Sequence, residues 1–151
     1  RRFEVVDEAG KTRIGLWARP ALVLMDAAGN PRASLSVRPD GGPQLSLLDA
    51  AGRPRVELSV LLDGSSIMML SDAAGKLRTS LSVRSDGSSN LGLVDAARKI
   101  RAALAVTSDG DAGLSLYDAV GKGRAALVVP SDGRPELVLF DATGKEIWKA
   151  P

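Results

Sequence analysis

Short runs in which apolar residues alternate with small or polar ones fill the whole chain. Leu35 and Val37 flank Ser36, and Leu45 and Leu47 flank Ser46. The same spacing returns at Leu58 and Val60, Met68 and Leu70, Leu81 and Val83, Leu91 and Leu93. It continues at Leu104 and Val106, Leu114 and Leu116, Leu127 and Val129, Leu137 and Leu139. Period two over five to seven residues is the signature of a half-buried strand, and no run keeps helical spacing long enough to compete. The pattern predicts about thirteen short strands, from Phe3–Val6 to Glu136–Phe140, with Ile147 and Trp148 as a closing cap.

The strands belong to a tandem repeat. Asp7, Asp26, Asp49, Asp72, Asp95, Asp118 and Asp141 each open a small-residue turn, and every spacing after the first is 23 residues. An arginine follows six residues later at Arg13, Arg32, Arg55, Arg78, Arg101 and Arg124. A second Asp-Gly holds the same register at Asp40, Asp63, Asp86, Asp109 and Asp132. The first full unit lacks this second turn, which accounts for its shorter length. The chain divides into a half-unit 1–12, units 13–31, 32–54, 55–77, 78–100, 101–123 and 124–146, and a C-terminal cap 147–151. Each unit is one supersecondary element that cannot bury a core alone, so the whole is read as a single repeat domain, 1–151.

Loop length sets how the strands face. Arg38-Pro39-Asp40-Gly41 fits a type I turn with a glycine bulge, a three-residue loop that pairs Leu35 with Leu45. The same loop at Asp49-Ala-Ala-Gly52 would pair Leu47 with Arg55 and throw Leu58 onto the opposite face. A four-residue loop would pair Leu45 with Leu58 and keep one common apolar face. A one-faced meander and a coil that switches face at every such corner both remain open on spacing alone. Six of the seven corners close on glycine, and Asp95-Ala-Ala-Arg98 breaks the rule.

Between the apolar rows lie Ser34, Ser36, Ser46, Ser59, Ser80, Ser82, Gly92, Ala103, Ala105, Ser115, Ala126 and Val128. A solvated strand face usually carries longer polar side chains. Small ones suit either a thinly hydrated face or the close approach of another layer.

Composition narrows the chemistry. The 151 residues contain neither Cys nor His, so thiolate and imidazole nucleophiles, bases and metal ligands are excluded. Aromatics are 3% and do not recur in register at Trp17, Tyr117 and Trp148, so no stacking platform repeats. A net charge of +2 is too small to steer nucleic acid. No apolar run is long enough to span a membrane as a helix. The start, Arg1-Arg2-Phe3-Glu4, reads as a segment of something longer and not as a signal peptide.

The carboxylates are the remaining candidates, and each sits in a turn beside glycine. Asp accepts backbone N–H bonds there, and glycine supplies positive φ. Among the Asp-Gly loops only Asp109-Gly-Asp111 has two close acids, short of the six or more oxygens calcium takes. Asp-x-x-Gly-Lys lacks the spacing and the helix of a phosphate loop. The arginine row is expected to reach back to the turn aspartates, with an anion-binding edge as its functional alternative. No catalytic, cofactor-binding or metal residue is assigned, and no cofactor is expected.

At Leu116-Tyr117-Asp118-Ala-Val-Gly-Lys122 and Leu139-Phe140-Asp141-Ala-Thr-Gly-Lys145, and in its Ile147-Trp148 tail, the chain resembles bacterial 23-residue β-hairpin-repeat proteins of unassigned activity. The resemblance implies a bacterial envelope or surface setting. More distantly the chain is similar to YD (Rhs) repeats, without most of their tyrosines, and to trimeric phage tail-fibre segments. It shares the repeat length of MORN proteins but not their Gly-x-Gly and Tyr pattern.

The reading is an all-β, elongated tandem-repeat protein, a β-solenoid or fibre, with an intertwined homotrimer as its assembled form. Its expected role is a non-enzymatic fibre or stalk segment, extracellular or at the cell surface, that self-associates. A monomeric β-repeat module recognising glycan or another protein is the alternative. Neither nucleic acid nor membrane insertion is expected of this segment.

Overall fold

The computed structural model describes residues 3–17 and 21–151. The chain forms two compact units, Arg1–Gly75 and Lys76–Pro151. In the first, the strands are β1 (Phe3–Val6), β2 (Thr12–Trp17), β3 (Ala21–Met25), β4 (Pro31–Val37), β5 (Pro43–Leu48), β6 (Pro54–Val60) and β7 (Ser66–Ser71). In the second they are β8 (Leu77–Val83), β9 (Ser89–Val94), β10 (Ile100–Val106), β11 (Ala112–Tyr117), β12 (Gly123–Val129), β13 (Glu136–Phe140) and β14 (Glu146–Ala150). Within each unit every strand pairs antiparallel with its neighbours in sequence. Each unit is therefore a seven-stranded meander. The tail is a strand and not only a cap: β14 adds to β13, with Trp148 opposite Leu139.

The Asp-Gly corners follow the expected three-residue loop. Gly41 N–H donates to the Arg38 carbonyl, Arg38 N–H donates to the Gly42 carbonyl, and Leu35 lies opposite Leu45. The corner of the first full unit falls at residues 18–20, outside the described residues.

The Asp-Ala-Ala-Gly corners resolve the parity question in a way neither loop length foresaw. The loop itself is again the short one: Gly52 N–H donates to the Asp49 carbonyl and Asp49 N–H to the Arg53 carbonyl. Leu48 is opposite Pro54, but Leu47 is opposite Val56, so Arg55 is an extra residue on its strand. This β-bulge shifts the register by one and restores the pairing of Leu45 with Leu58. Arg13, Arg32, Arg101 and Arg124 occupy the same bulge at their corners. Ile147 takes that place at the last one. The arginine register of the sequence is thus a bulge register, and the face-switching coil is not realised within either unit.

One face of each meander is consequently leucine-rich. Leu16, Leu22, Leu35, Leu45, Leu58 and Met68 form a continuous cross-strand row in the first unit. Leu81, Leu91, Leu104, Leu114, Leu127 and Leu137 form its counterpart in the second. The other face carries the small residues, including the row Ser80, Gly92, Ala103, Ser115 and Ala126. Among the described residues no hydrophobic side chain is buried, whereas Ser46, Ser59 and Ser65 are. The backbone ladders and corners hold each layer, and among the described residues of each unit no second layer covers the leucines. The described residues include no helix long and apolar enough to cross a membrane.

Candidate functional site

All Asp-Ala-Ala-Gly corners within a unit lie on one edge of its sheet, because they alternate with the Asp-Gly corners. Each of these aspartates organises its own turn. Asp7 Oδ1 accepts the N–H groups of Ala9 and Lys11, at 3.0 and 2.9 Å. Asp49, Asp95, Asp118 and Asp141 repeat the pair of bonds. The second oxygen takes the bulged arginine: Arg13 to Asp7 at 2.5 Å, Arg32 to Asp26 at 2.5 Å, Arg101 to Asp95 at 3.4 Å, and Arg124 to Asp118. Arg55 lies 3.6 Å from Asp49.

These arginines also reach forward, a feature that sequence spacing did not reveal. Arg13 donates to the carbonyl of Asp26 at the next corner, Arg55 to that of Ser71, Arg101 to that of Tyr117, and Arg124 to that of Asp141. Lys11 and Lys122 make parallel bonds to Ala27 and Ala142. These four guanidinium groups so tie their own corner to the following one, whereas among the described residues Arg32 bonds only to Asp26. The bulge makes this possible by turning the arginine out of the strand's alternation toward the edge.

The electrostatics follow from this use. The turn amide of Asn30, with Arg32 beside it, lowers the Asp26 carboxyl to about 2. Asp7, Asp49, Asp95 and Asp118 are lowered chiefly by the amide four residues on. The Thr143 hydroxyl, followed by the Lys145 amide, lowers Asp141. Carboxylates held ionised by turn amides and arginine are poor proton donors at neutral pH, and their lone pairs are already engaged. In the Asp109-Gly110-Asp111 loop, Asp111 accepts the N–H of Ser131 across the sheet edge at 2.8 Å. No cluster of three or more metal-ligating side chains occurs among the described residues.

The leucine face is the other conspicuous surface. Leu35 is 52% exposed and Leu104 51%, each in the middle of a strand with apolar neighbours on both sides, and Leu81, opposite Leu91, is 46% exposed. Val37, Val60, Val83, Val106 and Val129 extend the same face toward the Asp-Gly edge, also exposed. Trp148 joins its end beside Leu139. Contiguous apolar surface on this scale marks a site of interaction.

No family model matches the chain, and a search of curated proteins gives no match. Among solved structures, the chain is similar to the TCP domain of Drosophila melanogaster SAS-4 in complex with a proline-rich motif of Ana2. That alignment has 12% identity and a TM-score of 0.38 and covers 90% of this chain and 88% of that one. A variant TCP10 domain of Danio rerio CPAP aligns at 16% identity and a TM-score of 0.41, covering 97% and 92%. Likeness at this level carries no argument about activity.

Arg98 stands where its repeat position demands a left-handed residue. Its φ is 65°, the only positive φ of a non-glycine among the described residues, against 74° at Gly52 and Gly75. Its amide still closes the turn on the Asp95 carbonyl at 3.0 Å. The sequence flagged this residue as a broken rule; the backbone keeps the rule, and an arginine holds the strained left-handed conformation.

Proposed function

We propose that this chain is a non-catalytic, self-associating structural segment, a fibre or stalk element of a bacterial surface protein whose leucine faces are covered by further copies of itself. The observation that carries the proposal is the absence of any buried hydrophobic side chain among the described residues, beside a continuous leucine face. Identical faces are self-complementary in chemistry, and closed symmetry is the usual way to cover them.

Within each unit the ladder partners lie in the same chain, which favours copies meeting by their leucine faces; the intertwined homotrimer expected from sequence and three copies packed around a shared leucine core are the assembled forms put to the test. The extracellular setting rests on the repeat resemblance.

Light scattering coupled to size exclusion tests the proposal on the 151-residue chain. The expected result is an oligomer, with Leu81→Asp lowering the mass and Ser82→Asp, on the opposite face, leaving it unchanged. Burying an unpaired carboxylate in a shared core costs several kcal/mol, about enough to abolish association. A folded 15.7 kDa monomer at micromolar concentration, judged by circular dichroism, overturns the reading. So does equal tolerance of Leu81→Asp and Ser82→Asp in an oligomer.

A further inference from the structure

Unit-specific departures from the repeat coincide in space on the small-residue face of the second unit. A groove of about 270 Å³ runs across β8, β9 and β10. Its apolar walls are Leu77, Val94 and Ile100, its floor is Gly92 and Ala103, and Arg98 lines one side.

Three of its features belong to this place alone. The position before the bulge is Thr12, Pro31, Pro54, Gly123 or Glu146 elsewhere; its only large apolar occupants are Leu77 and Ile100, and both line the groove. The position three before the corner aspartate is Glu4, Val23, Ser46, Met69, Ser115 or Val138 elsewhere, and Gly92 here. A Cβ on Gly92 would lie 3.3 Å from Ser80 Oγ and 3.7 Å from the side-chain oxygen of Asn90, so the floor is low because that residue lacks one. The third feature is Arg98, which replaces a turn glycine at the expense of backbone strain. The neighbouring Asp95 carboxylate is already taken by the amides of Ala97 and Lys99 and by Arg101. The Arg98 guanidinium carries neither a hydrogen bond nor an ion pair with any described residue.

We infer that this groove is a binding site for a small amphiphile, an unbranched medium-chain carboxylate whose chain lies over Gly92 between Leu77, Val94 and Ile100 and whose head meets Arg98. The volume of about 270 Å³ lies just below the usual range of ligand sites, which suits a small ligand. A guanidinium beside apolar walls selects an anionic head on an apolar body. The inference is independent of self-association, which uses the opposite face.

Calorimetric titration of the full chain with decanoate, below its micelle-forming concentration, tests it, with decanol as the uncharged chain of equal length. Saturable 1:1 binding of decanoate is expected, weakened about tenfold or more in Arg98→Gly by loss of a charged hydrogen bond. Gly92→Val should abolish binding of both probes. Arg98→Gly relieves strain, so an unchanged circular dichroism spectrum with a Tm equal to or above the parent's will separate lost binding from lost fold. Equal decanoate affinity in the parent and both variants would overturn the inference, as would the absence of saturable binding.

Discussion

Replacing Arg98 by glycine isolates the energy of a single backbone angle. At φ 65° an L-residue bearing a Cβ sits in the left-handed region, a strain of about 1–2 kcal/mol relative to right-handed backbone. Glycine escapes that strain but raises the entropy of the unfolded chain, a counter-effect of roughly 0.5–1 kcal/mol. The arginine side chain contributes no hydrogen bond or ion pair that its removal would forfeit. The net expectation is a change between neutral and about 1 kcal/mol stabilising, or up to about 2–4 °C in Tm for a chain of this length. The reverse exchange, Gly75→Arg, meets no atom within 4 Å of the new Cβ, so its expected loss of about 1 kcal/mol reports φ without steric clash. Thermal melts followed by circular dichroism, run on both variants at one protein concentration, measure the pair. A Tm for Arg98→Gly several degrees below the parent would refute the reasoning, since it would show that the arginine holds the corner and is not merely tolerated by it.

Three further expectations follow from the corners. Asp26 and its repeats have carboxyl pKa values below those of an unfolded chain, so the stability they contribute is present above about pH 4 and is lost as pH falls toward about 2. Tm should therefore be flat from pH 7 to 5 and drop below pH 4; a drop confined to the upper range would contradict this assignment. Inserting one alanine after Ala103 should destabilise far more than deleting Arg101, because the insertion sends Leu104 and Val106 to the wrong face relative to Leu91 and Ser89, whereas the deletion removes the extra residue, leaves Leu104 opposite Leu91 and costs only the bonds to Asp95 and Tyr117; comparable urea midpoints would argue against the bulge as the register device. EDTA should leave Tm unchanged, since turn amides and arginines occupy the corner carboxylates, and a fall of several degrees would revive a calcium site.

Much of this architecture was legible in the residues themselves, because it is local. Alternation over five to seven positions, Asp followed by a glycine or an Asp-x-x-Gly corner, and an exact 23-residue register specify strands, turns and repeat without reference to anything distant. The turn role of the aspartates and the backward reach of Arg13 or Arg124 follow from distances of two to six residues. What spacing left open was which way each strand faces after an Asp-Ala-Ala-Gly corner. A single extra residue decides that, and Arg55 counts as an ordinary strand residue until its neighbours across the ladder are known. Only the paired register shows it as a bulge, and only then do the leucines of successive strands fall on one side. The forward bonds of the arginines to the next corner also needed the folded sheet, since they join residues 13 to 17 positions apart that meet only when the arginine's strand pairs with the next one. The groove beside Arg98 is of the same kind. Leu77, Gly92 and Ile100 are unremarked departures in three places along the chain, and they become one site because antiparallel pairing lays β8, β9 and β10 side by side.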